Sequence, residues 1–402
     1  MNGNGWLGGR LKIVAALGTT QTLAWASSYY LAAIVADPIA RSFGTSTISV
    51  FAAFSVALLL SALLGPRVGR TIDLFGGREV LAFSNLVFAA ALLTLALAQT
   101  QWMLWLGWLL LGAAMGMGLY DVAFAALGRI YGDRARSTIT GITLIAGFAS
   151  TIGWPLTAWG VSEIGWRYTC AGWALAHLCI GLPLNLLCLP DLRKAAAPFI
   201  GTPSRPHVAM DRTMWLLAFA FAAGWTVSTA MAAHLPRVLE AGGATAAEAV
   251  AAAALVGPAQ VAARMAEAGL LSRYHPLLSA RLSTLCHPLG AALLVSGGSW
   301  LAMPFTLLHG AGNGVLTIAR GTVPLAVFGP ENYGYRLGLL GAPARIAQAG
   351  APLAFGILID RYGAGALYIS SLICLAALIA LLCVKPRIRE LQTPECTGSA
   401  HR

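Results

Sequence analysis

Charged residues are scarce in this sequence. Asp, Glu, Lys and Arg make up 10% of its 402 residues, against about 25% in ordinary soluble domains. Hydrophobic residues make up 58%, and a soluble fold of this size has no interior large enough to hide that much apolar surface. The composition therefore excludes an ordinary soluble protein and indicates that lipid surrounds much of the chain.

Sequence patterns that carry enzyme chemistry are also missing. The seven cysteines form no CxxC pair and have no spacing typical of a metal site. No apolar run carries an acid–histidine metal set or a nucleophile with a base, and no GxxxxGK[ST] loop occurs. We therefore expect no catalytic residue, no metal site, no cofactor and no direct use of ATP.

Long apolar runs are abundant instead. A membrane-crossing helix needs about 20 mostly apolar residues, and the first run lacks the cleavage site of a signal peptide. We predict an all-α integral membrane protein whose two six-helix bundles, 1–188 and 213–384, are joined by a cytoplasmic linker, 189–212, and followed by a cytoplasmic tail, 385–402. The twelve predicted transmembrane helices are 13–36, 46–66, 79–98, 103–126, 138–161, 167–188, 213–235, 245–265, 279–296, 300–322, 336–358 and 364–384.

The placement of positive charge predicts the orientation. If both termini are cytoplasmic, the cytoplasmic side holds 21 of the 26 Lys and Arg residues, and Arg345 lies inside a helix. This is the positive-inside pattern of a cell (inner) membrane protein, and it explains the net charge of +11 without nucleic acid as a partner. The external loops hold only Arg41, Arg167, Arg237 and Arg361.

The two predicted bundles resemble each other at an offset near 200 residues. Trp25 matches Trp225, and Ser28 matches Ser228. Two related six-helix bundles are typical of secondary transporters that alternate access to a site at the repeat interface, near the middle of the membrane. We therefore predict a monomeric carrier whose partners are the lipid bilayer and a small-molecule substrate.

The stretch GRTIDLFGGREVL, between the second and third predicted helices, concentrates charge. It resembles the signature loop of the major facilitator superfamily, G-x-x-x-D-R-x-G-R-R, although Leu74 and Gly77 replace two basic residues of that pattern. The resemblance implies the twelve-helix fold of that superfamily and a loop that latches the cytoplasmic side of the two bundles. The matching residues, to which it gives a gating role, are Gly69, Asp73, Gly76 and Arg78.

Three shorter strings, GAAMGMGLY, Arg134-x-Arg136 and EIGWR, resemble the monocarboxylate and oxalate/formate branch of that superfamily. That branch carries D-x-x-x-R in its eighth helix, where this chain has Gln260 and Arg264. The missing acid argues against that branch's proton-coupling chemistry. The Gly-Pro pair of drug/proton antiporters is interrupted by Trp154.

Arg345 is the most unusual residue inside a predicted helix. It lies roughly 15 Å along the eleventh helix from Tyr335, near the middle of the bilayer, where inserting a charge costs about 3 kcal/mol. We predict that Arg345 binds an anionic substrate, with Gln348 one turn further on. A structural pairing with carbonyl groups or with an acid on a neighbouring helix is the alternative.

Asp121 and Arg320 occupy corresponding depths near the inner ends of the fourth and tenth predicted helices. We predict that they form an ion pair that closes the cytoplasmic mouth. The alternatives are a local hydrogen bond for Asp121 and snorkelling of Arg320 towards the interface.

Aromatic and hydroxyl side chains at helical spacing on the first and seventh helices suit a small organic solute, although helix packing explains each of them equally well. The predicted lining residues are Gln21, Trp25, Ser28, Tyr29, Trp225, Ser228, His234, His309 and Asn313. We predict a secondary transporter of a small, carboxylate-like solute, driven by a gradient of solute or of protons. Efflux of a toxic amphiphile, drug or metalloid is the alternative, and a transporter-like membrane sensor is a more remote one.

Overall fold

The computed structural model describes residues 3–192 and 208–385. The middle of the predicted linker, 193–207, and the tail beyond Lys385 lie outside the described residues. Within the described ranges every regular element is helical. The helices of the N-terminal half, residues 3–192, are α1 Gly3–Ala26, α2 Leu31–Phe43, α3 Thr47–Phe75, α4 Arg78–Ala96, α5 Gln101–Gly118, α6 Tyr120–Tyr131, α7 Arg136–Ala146, α8 Ala149–Glu163, α9 Gly165–Ala176 and α10 Leu182–Cys188.

The C-terminal half, residues 208–385, is built in the same way. Its helices are α11 Arg212–Ala241, α12 Ala246–Ala253, α13 Val256–Gly269, α14 Pro276–Gly297, α15 Ala302–Phe328, α16 Tyr333–Tyr362 and α17 Ala366–Cys383. Side-chain caps begin several helices: Ser46 accepts from the Ser49 N–H, Asp211 accepts from the Met214 N–H, and Thr245 forms a capping box with Glu248.

Eight helical stretches of the described chain are long and apolar enough to cross a membrane. Three of them, Gln101–Glu163, Pro276–Phe328 and Tyr333–Cys383, contain 63, 53 and 51 residues, and each is longer than the roughly 20 residues that one crossing needs. Large apolar side chains such as Trp300, Leu353 and Leu63 lie on the outside of the protein. The chain is therefore an integral membrane protein.

Several predicted helices are interrupted, which the sequence pattern did not indicate. The predicted helix 13–36 breaks at residues 27–30, between α1 and α2, and does not belong to the eight apolar stretches. At this break the Ser27 hydroxyl lies 2.7 Å from His177 Nε2, and the Tyr30 N–H reaches back five residues to the Trp25 carbonyl. The break directs Trp25, Tyr29 and Tyr30 into one aromatic cluster.

The two halves meet along a few helix pairs. α3 packs against α16, α7 packs against α13, and α6 packs against both α15 and α16. One apolar core is formed mostly by residues 13–189, and two further cores are formed by residues of the C-terminal half. The charged side chains of Asp121, Arg320 and Arg345 meet where α6, α15 and α16 converge, which is the position of the candidate site.

Candidate functional site

A group of three charges lies where α6 meets α15 and α16. Arg320 Nη2, on α15, is 2.9 Å from Oδ1 and 3.1 Å from Oδ2 of Asp121, and Arg345 Nη2, on α16, is 2.6 Å from Asp121 Oδ2. All three side chains are buried, with 8–11% of their surface exposed. Because one carboxylate faces two guanidinium groups, this charge cluster carries a net charge of +1.

The local backbone explains why Asp121 lies at the start of a helix. Leu119 is extended (φ −86°, ψ −176°) and separates α5 from α6. Asp121 consequently falls in the first turn of α6, where a negative charge is favoured by the partial positive charge of the helix N-terminus. The break therefore places the Asp121 carboxylate at a helix N-terminus in the middle of an apolar run.

A small cavity of about 20 Å³ lies beside the charge cluster. A cavity needs about 10–15 Å³ to hold one water molecule, whereas ligand pockets commonly measure about 300–1,000 Å³. The cavity therefore has room for about one water molecule. Its lining residues are Trp25, Tyr29, Leu58, Ser61, Leu119, Tyr120, Asp121, Trp225, Arg320, Arg345 and Gln348.

Four of the residues that line this cavity each carry a buried hydrogen-bonding group without a partner among the described residues. These groups are Trp25 Nε1, Trp225 Nε1, Ser61 Oγ and Arg345 Nη1. Indole and guanidinium groups can only donate hydrogen bonds, whereas a hydroxyl can both donate and accept. Leaving such a donor unpaired costs about 1–3 kcal/mol. The cavity wall therefore presents donors that suit a solute rich in hydrogen-bond acceptors.

The aromatic wall of the cavity is formed by residues that correspond between the two halves. The rings of Trp25 and Trp225 stack with centroids 6.4 Å apart and an interplanar angle of 9°. The Tyr29 hydroxyl lies 3.3 Å from Thr229 Oγ1, and the Arg320 guanidinium lies 4.8 Å from the centroid of the Trp225 ring. Helices α1 and α11 therefore meet at the centre of the interface through equivalent positions.

The structure brings together only part of the predicted lining. Trp25, Tyr29, Trp225, Arg345 and Gln348 line the cavity, together with the gating candidates Asp121 and Arg320. The ion pair between Asp121 and Arg320 is present, and its role in closing the mouth stays a prediction. Arg345 also pairs with this acid, so the alternative of a pairing with an acid on a neighbouring helix is present, and binding of an anionic substrate by Arg345 stays a prediction.

The other predicted lining residues do not line this cavity. Gln21 Nε2 donates to the Gly118 carbonyl at 2.6 Å, and the Ser28 hydroxyl bonds the Ala24 carbonyl within its own helix. His234 Nε2 lies 2.7 Å from the Pro352 carbonyl. A second cavity of about 20 Å³, inside the C-terminal half, is lined by Ser228, His309 and Asn313. There Ser228 donates to Asn313, and the Nδ1 atoms of His309 and His287 lie 3.0 Å apart.

The predicted gating loop is wrong as a loop, since α3 runs to Phe75 and α4 begins at Arg78. Its residues Gly69 and Asp73 form a contact between the halves at the C-terminal end of α3. The carboxylate of Asp73 accepts from the N–H groups of Gly334 and Tyr335, each at 2.8 Å, at the N-terminus of α16. A Cβ on Gly69 would overlap the Gly334 carbonyl, so these two glycines allow the helices to touch. We call this contact, formed by Gly69, Asp73, Gly334 and Tyr335, the first latch.

The two remaining gating candidates lie beside the first latch. Gly76 ends α3 with φ 88°, a backbone conformation that favours glycine. Arg78 Nη1 lies 3.4 Å from the carboxylate of Asp191, a residue of the N-terminal half. Arg78 therefore contacts its own half in the part of the chain that the structure describes.

A second contact between the halves, which the sequence analysis missed, joins α7 to α13. Arg136 Nη2 lies 2.9 Å from the buried carboxylate of Glu267 and donates to the carbonyl of Leu271. Glu267 also accepts from Thr140 and Ser279. The available signal was the repeat. Asp73 and Glu267 each lie just beyond the second predicted helix of their half, 46–66 and 245–265. We call this contact the second latch.

His275 lies at the edge of the second latch and begins α14. Its Nδ1 atom accepts from the Leu277 N–H at 3.2 Å. Burial, together with the charges of Arg136 and Arg281, lowers the pKa of His275 from its ordinary value. The ring is consequently held in the neutral form that a capping acceptor requires.

Replacing Glu267 by glutamine is expected to loosen the contact between the two halves. Glutamine keeps the shape but removes the charge that Arg136 contacts, and a hydrogen bond to a charged partner contributes about 1.5–3 kcal/mol. Ile139, which packs between the halves against Gly321, offers a reporter: thiol labelling of Ile139→Cys in a cysteine-free background should quicken about fivefold. Glu240→Gln, at an exposed glutamate, is the control. Unchanged labelling would mean that Arg136–Glu267 does not hold the halves together.

A comparison with known protein families identifies the fold. The sequence pattern of the Major Facilitator Superfamily matches residues 17–307. The chain belongs to this superfamily. It is therefore a membrane transporter and not an enzyme. Gly69 and Asp73 of the first latch belong to the stretch whose sequence carried the resemblance.

Similar proteins cover most of the chain. An uncharacterized 38 kDa protein in a 23S RNA operon of Thermoproteus tenax is 26% identical over 361 residues, which cover 90% of this chain and 91% of that protein. The human organic anion transporter MFSD10 (TETRAN) superposes with a TM-score of 0.69 at 15% identity, over 92% of this chain and 99% of that one. The E. coli fucose:proton symporter FucP gives a TM-score of 0.70 at 15% identity, over 92% and 97% of the two chains.

Proposed function

We propose that this major facilitator protein is a secondary transporter of a small organic anion, such as a carboxylate, and that it works by alternating access. The observation that carries the proposal is the set of four unpaired donors beside a charge cluster of net charge +1. A carboxylate supplies both the negative charge and the acceptor oxygens that this wall lacks. The stacked indoles of Trp25 and Trp225 suit the apolar part of such a solute.

The transport cycle rests on a twelve-helix arrangement. Two bundles, 1–188 and 213–384, each cross the membrane six times, with the linker 189–212, the tail 385–402 and both termini on the cytoplasmic side of the cell membrane. The lengths of the three longest apolar stretches and the breaks between α1 and α2, α5 and α6, and α7 and α8 are compatible with this count. The protein works as a monomer, because each chain contains both bundles and the site between them.

The closed contacts lie at the cytoplasmic side of the site. The first and second latches join the halves there, on two opposite helix pairs. Rocking of one bundle against the other opens these latches and exposes the charge cluster to the cytoplasm. A gradient of the solute, or of protons, drives the cycle.

The fold is compatible with such a substrate, since MFSD10 is described as an organic anion transporter and FucP as a fucose:proton symporter. At 15% identity these likenesses concern the fold, so the substrate is argued from the cavity alone. Efflux of an amphiphile, drug or metalloid and a sensor role are the competing functions. A sensor would bind a solute and move none, and an exporter of cations would not need Arg345.

The test is uptake by purified protein in proteoliposomes, with a panel of mono- and dicarboxylates and matched cationic and neutral amphiphiles. We expect carboxylate flux that Arg345→Gln lowers at least about 100-fold, because the substrate loses a charged, two-pronged partner. Arg281→Gln is the matched control, since Arg281 donates to carbonyls of the C-terminal half, Leu381 and Val384, and does not line the cavity. Equal carboxylate flux in wild type and Arg345→Gln, or flux of cations alone, would overturn the proposal.

A further inference from the structure

The anion-binding position of the site is already filled by a group of the protein itself. The carboxylate of Asp121 contacts both guanidinium groups. The space beside it, about 20 Å³, is close to that of one water molecule. A substrate carboxylate cannot bridge Arg345 and Arg320 while Asp121 stays between them.

We infer that Asp121 is a tethered competitor of the substrate: the incoming anion displaces the Asp121 carboxylate from Arg345 and Arg320, and this exchange of one carboxylate for another releases the inner closure. The inference rests on the proposed function and adds a specific role for Asp121, which the charge cluster alone does not assign.

Asp121 does not use all the N–H donors that the two arginines can offer a carboxylate. Arg345 uses only Nη2 for Asp121, and its Nη1 atom is buried without a partner among the described residues. Arg320 uses Nη2 alone for both carboxylate oxygens. An arginine binds a carboxylate best through two parallel N–H···O bonds. A free carboxylate can adopt that arrangement, whereas a carboxylate fixed to the start of α6 does not.

The position of Asp121 in the chain explains why its displacement opens the protein. Asp121 belongs to the N-terminal half, and Arg320 and Arg345 belong to the C-terminal half. The carboxylate is also wedged against the α16 backbone, since a Cβ on Gly341 would lie 2.8 Å from Asp121 Oδ2. Separating the halves without substrate leaves two guanidinium groups and one carboxylate unpaired, which is strongly unfavourable for buried charges.

The bound anion removes this penalty for the C-terminal half, because it stays with the two arginines when Asp121 leaves. With a monovalent substrate bound, the charges of the substrate, Asp121, Arg320 and Arg345 sum to zero, whereas the empty site keeps its net charge of +1. The loaded carrier therefore opens inwards more readily than the empty one. Exchange of substrate across the membrane should accordingly be faster than net flux.

The first test compares Asp121→Asn with wild type, using the carboxylate that the panel identifies. Asparagine has the same shape but does not compete as an anion, so we expect the dissociation constant, measured by titration calorimetry, to fall at least about tenfold and the maximal exchange rate to fall by a similar factor. Asp360→Asn makes the same chemical change in an exposed ion pair with Arg237 and should alter neither quantity. Unchanged or weaker binding by folded Asp121→Asn would overturn the inference.

The second test needs no change at the site and applies even if Asp121→Asn fails to fold. Ile139 is buried between the halves beside Gly321, so thiol labelling of Ile139→Cys in a cysteine-free background reports inner opening in lipid nanodiscs. We expect saturating carboxylate to quicken this labelling at least about fivefold, while the exposed position of Ser272→Cys reacts equally fast with and without it. Labelling of Ile139→Cys that substrate slows or leaves unchanged would also overturn the inference.

The two proposals fail in different ways. If no carboxylate binds to or crosses with the wild-type protein, the proposed anion transport is wrong and the competitor role falls with it. If carboxylates are carried in an Arg345-dependent way but Asp121→Asn binds no more tightly, only the competitor role is wrong.

Discussion

Replacing Gly69 by leucine is expected to abolish transport, because the two halves can then no longer close against each other at this contact. A Cβ on Gly69 would overlap the carbonyl of Gly334 on α16. Backbone atoms cannot move aside as a flexible side chain can, so α3 and α16 must separate. Asp73 would then lose the N–H groups of Gly334 and Tyr335. We expect carboxylate flux to fall at least about 100-fold, the effect of about 2.7 kcal/mol.

The matched control lies on α16 itself. Gly350 has no atom within 4 Å of the position where a Cβ would be added, so Gly350→Leu should leave both flux and thermal stability close to those of wild type. Thiol labelling of Ile139→Cys separates the expected cause from simple misfolding, because the Gly69→Leu protein should be folded and labelled rapidly without substrate. Slow labelling together with normal flux would show that close approach of α3 and α16 is not required.

The fold could be predicted from composition, the length of the apolar runs and the repeat, since each of these depends on the bilayer as a solvent. The breaks inside the runs could not. At the helix break at residues 27–30, Ser27 contacts His177, 150 residues away along the chain. The extended Leu119 follows Gly118, whose carbonyl accepts from Gln21, 97 residues away. Non-local hydrogen bonds of this kind leave no local pattern in the sequence.

The site could be predicted in part for a related reason. Arg345, Asp121 and Arg320 stand out because charge in an apolar run is rare and must be compensated. Trp25 and Trp225 stand out because they occupy equivalent positions in the two repeated halves. The rotation of an apolar helix about its own axis is much harder to predict, because such a helix has no polar face that indicates its orientation.

The predicted lining of α11 and α15 illustrates this limit. Ser228 follows Trp225 by three residues, yet Trp225 lines the central cavity while Ser228 faces Asn313 inside the C-terminal half. His309 likewise contacts His287 and does not reach the charge cluster. Glu267 was missed for a different reason: it lies just beyond the predicted end of its helix, where an acid is unremarkable until Arg136 is found opposite it.

Inverting either charge of the Asp121–Arg320 pair should produce the second large effect. Asp121→Arg would place three guanidinium groups in the buried site, and Arg320→Asp would leave two carboxylates facing Arg345 alone. Breaking a buried ion pair costs about 3–5 kcal/mol, so we expect each single variant to lose at least about 100-fold in flux and to unfold at a lower temperature. The double variant again sets one carboxylate among two guanidinium groups and keeps the net charge of +1. It should recover thermal stability and at least about tenfold in flux over either single variant.

The control is Arg237→Asp with Asp360→Arg, an exposed pair. There each single change should alter flux and thermal stability little, because exposed pairs contribute about 0–1 kcal/mol. If the double Asp121/Arg320 variant recovers neither stability nor flux, the contact between these two residues is not what couples the halves, and closure of the site must depend on the two latches alone.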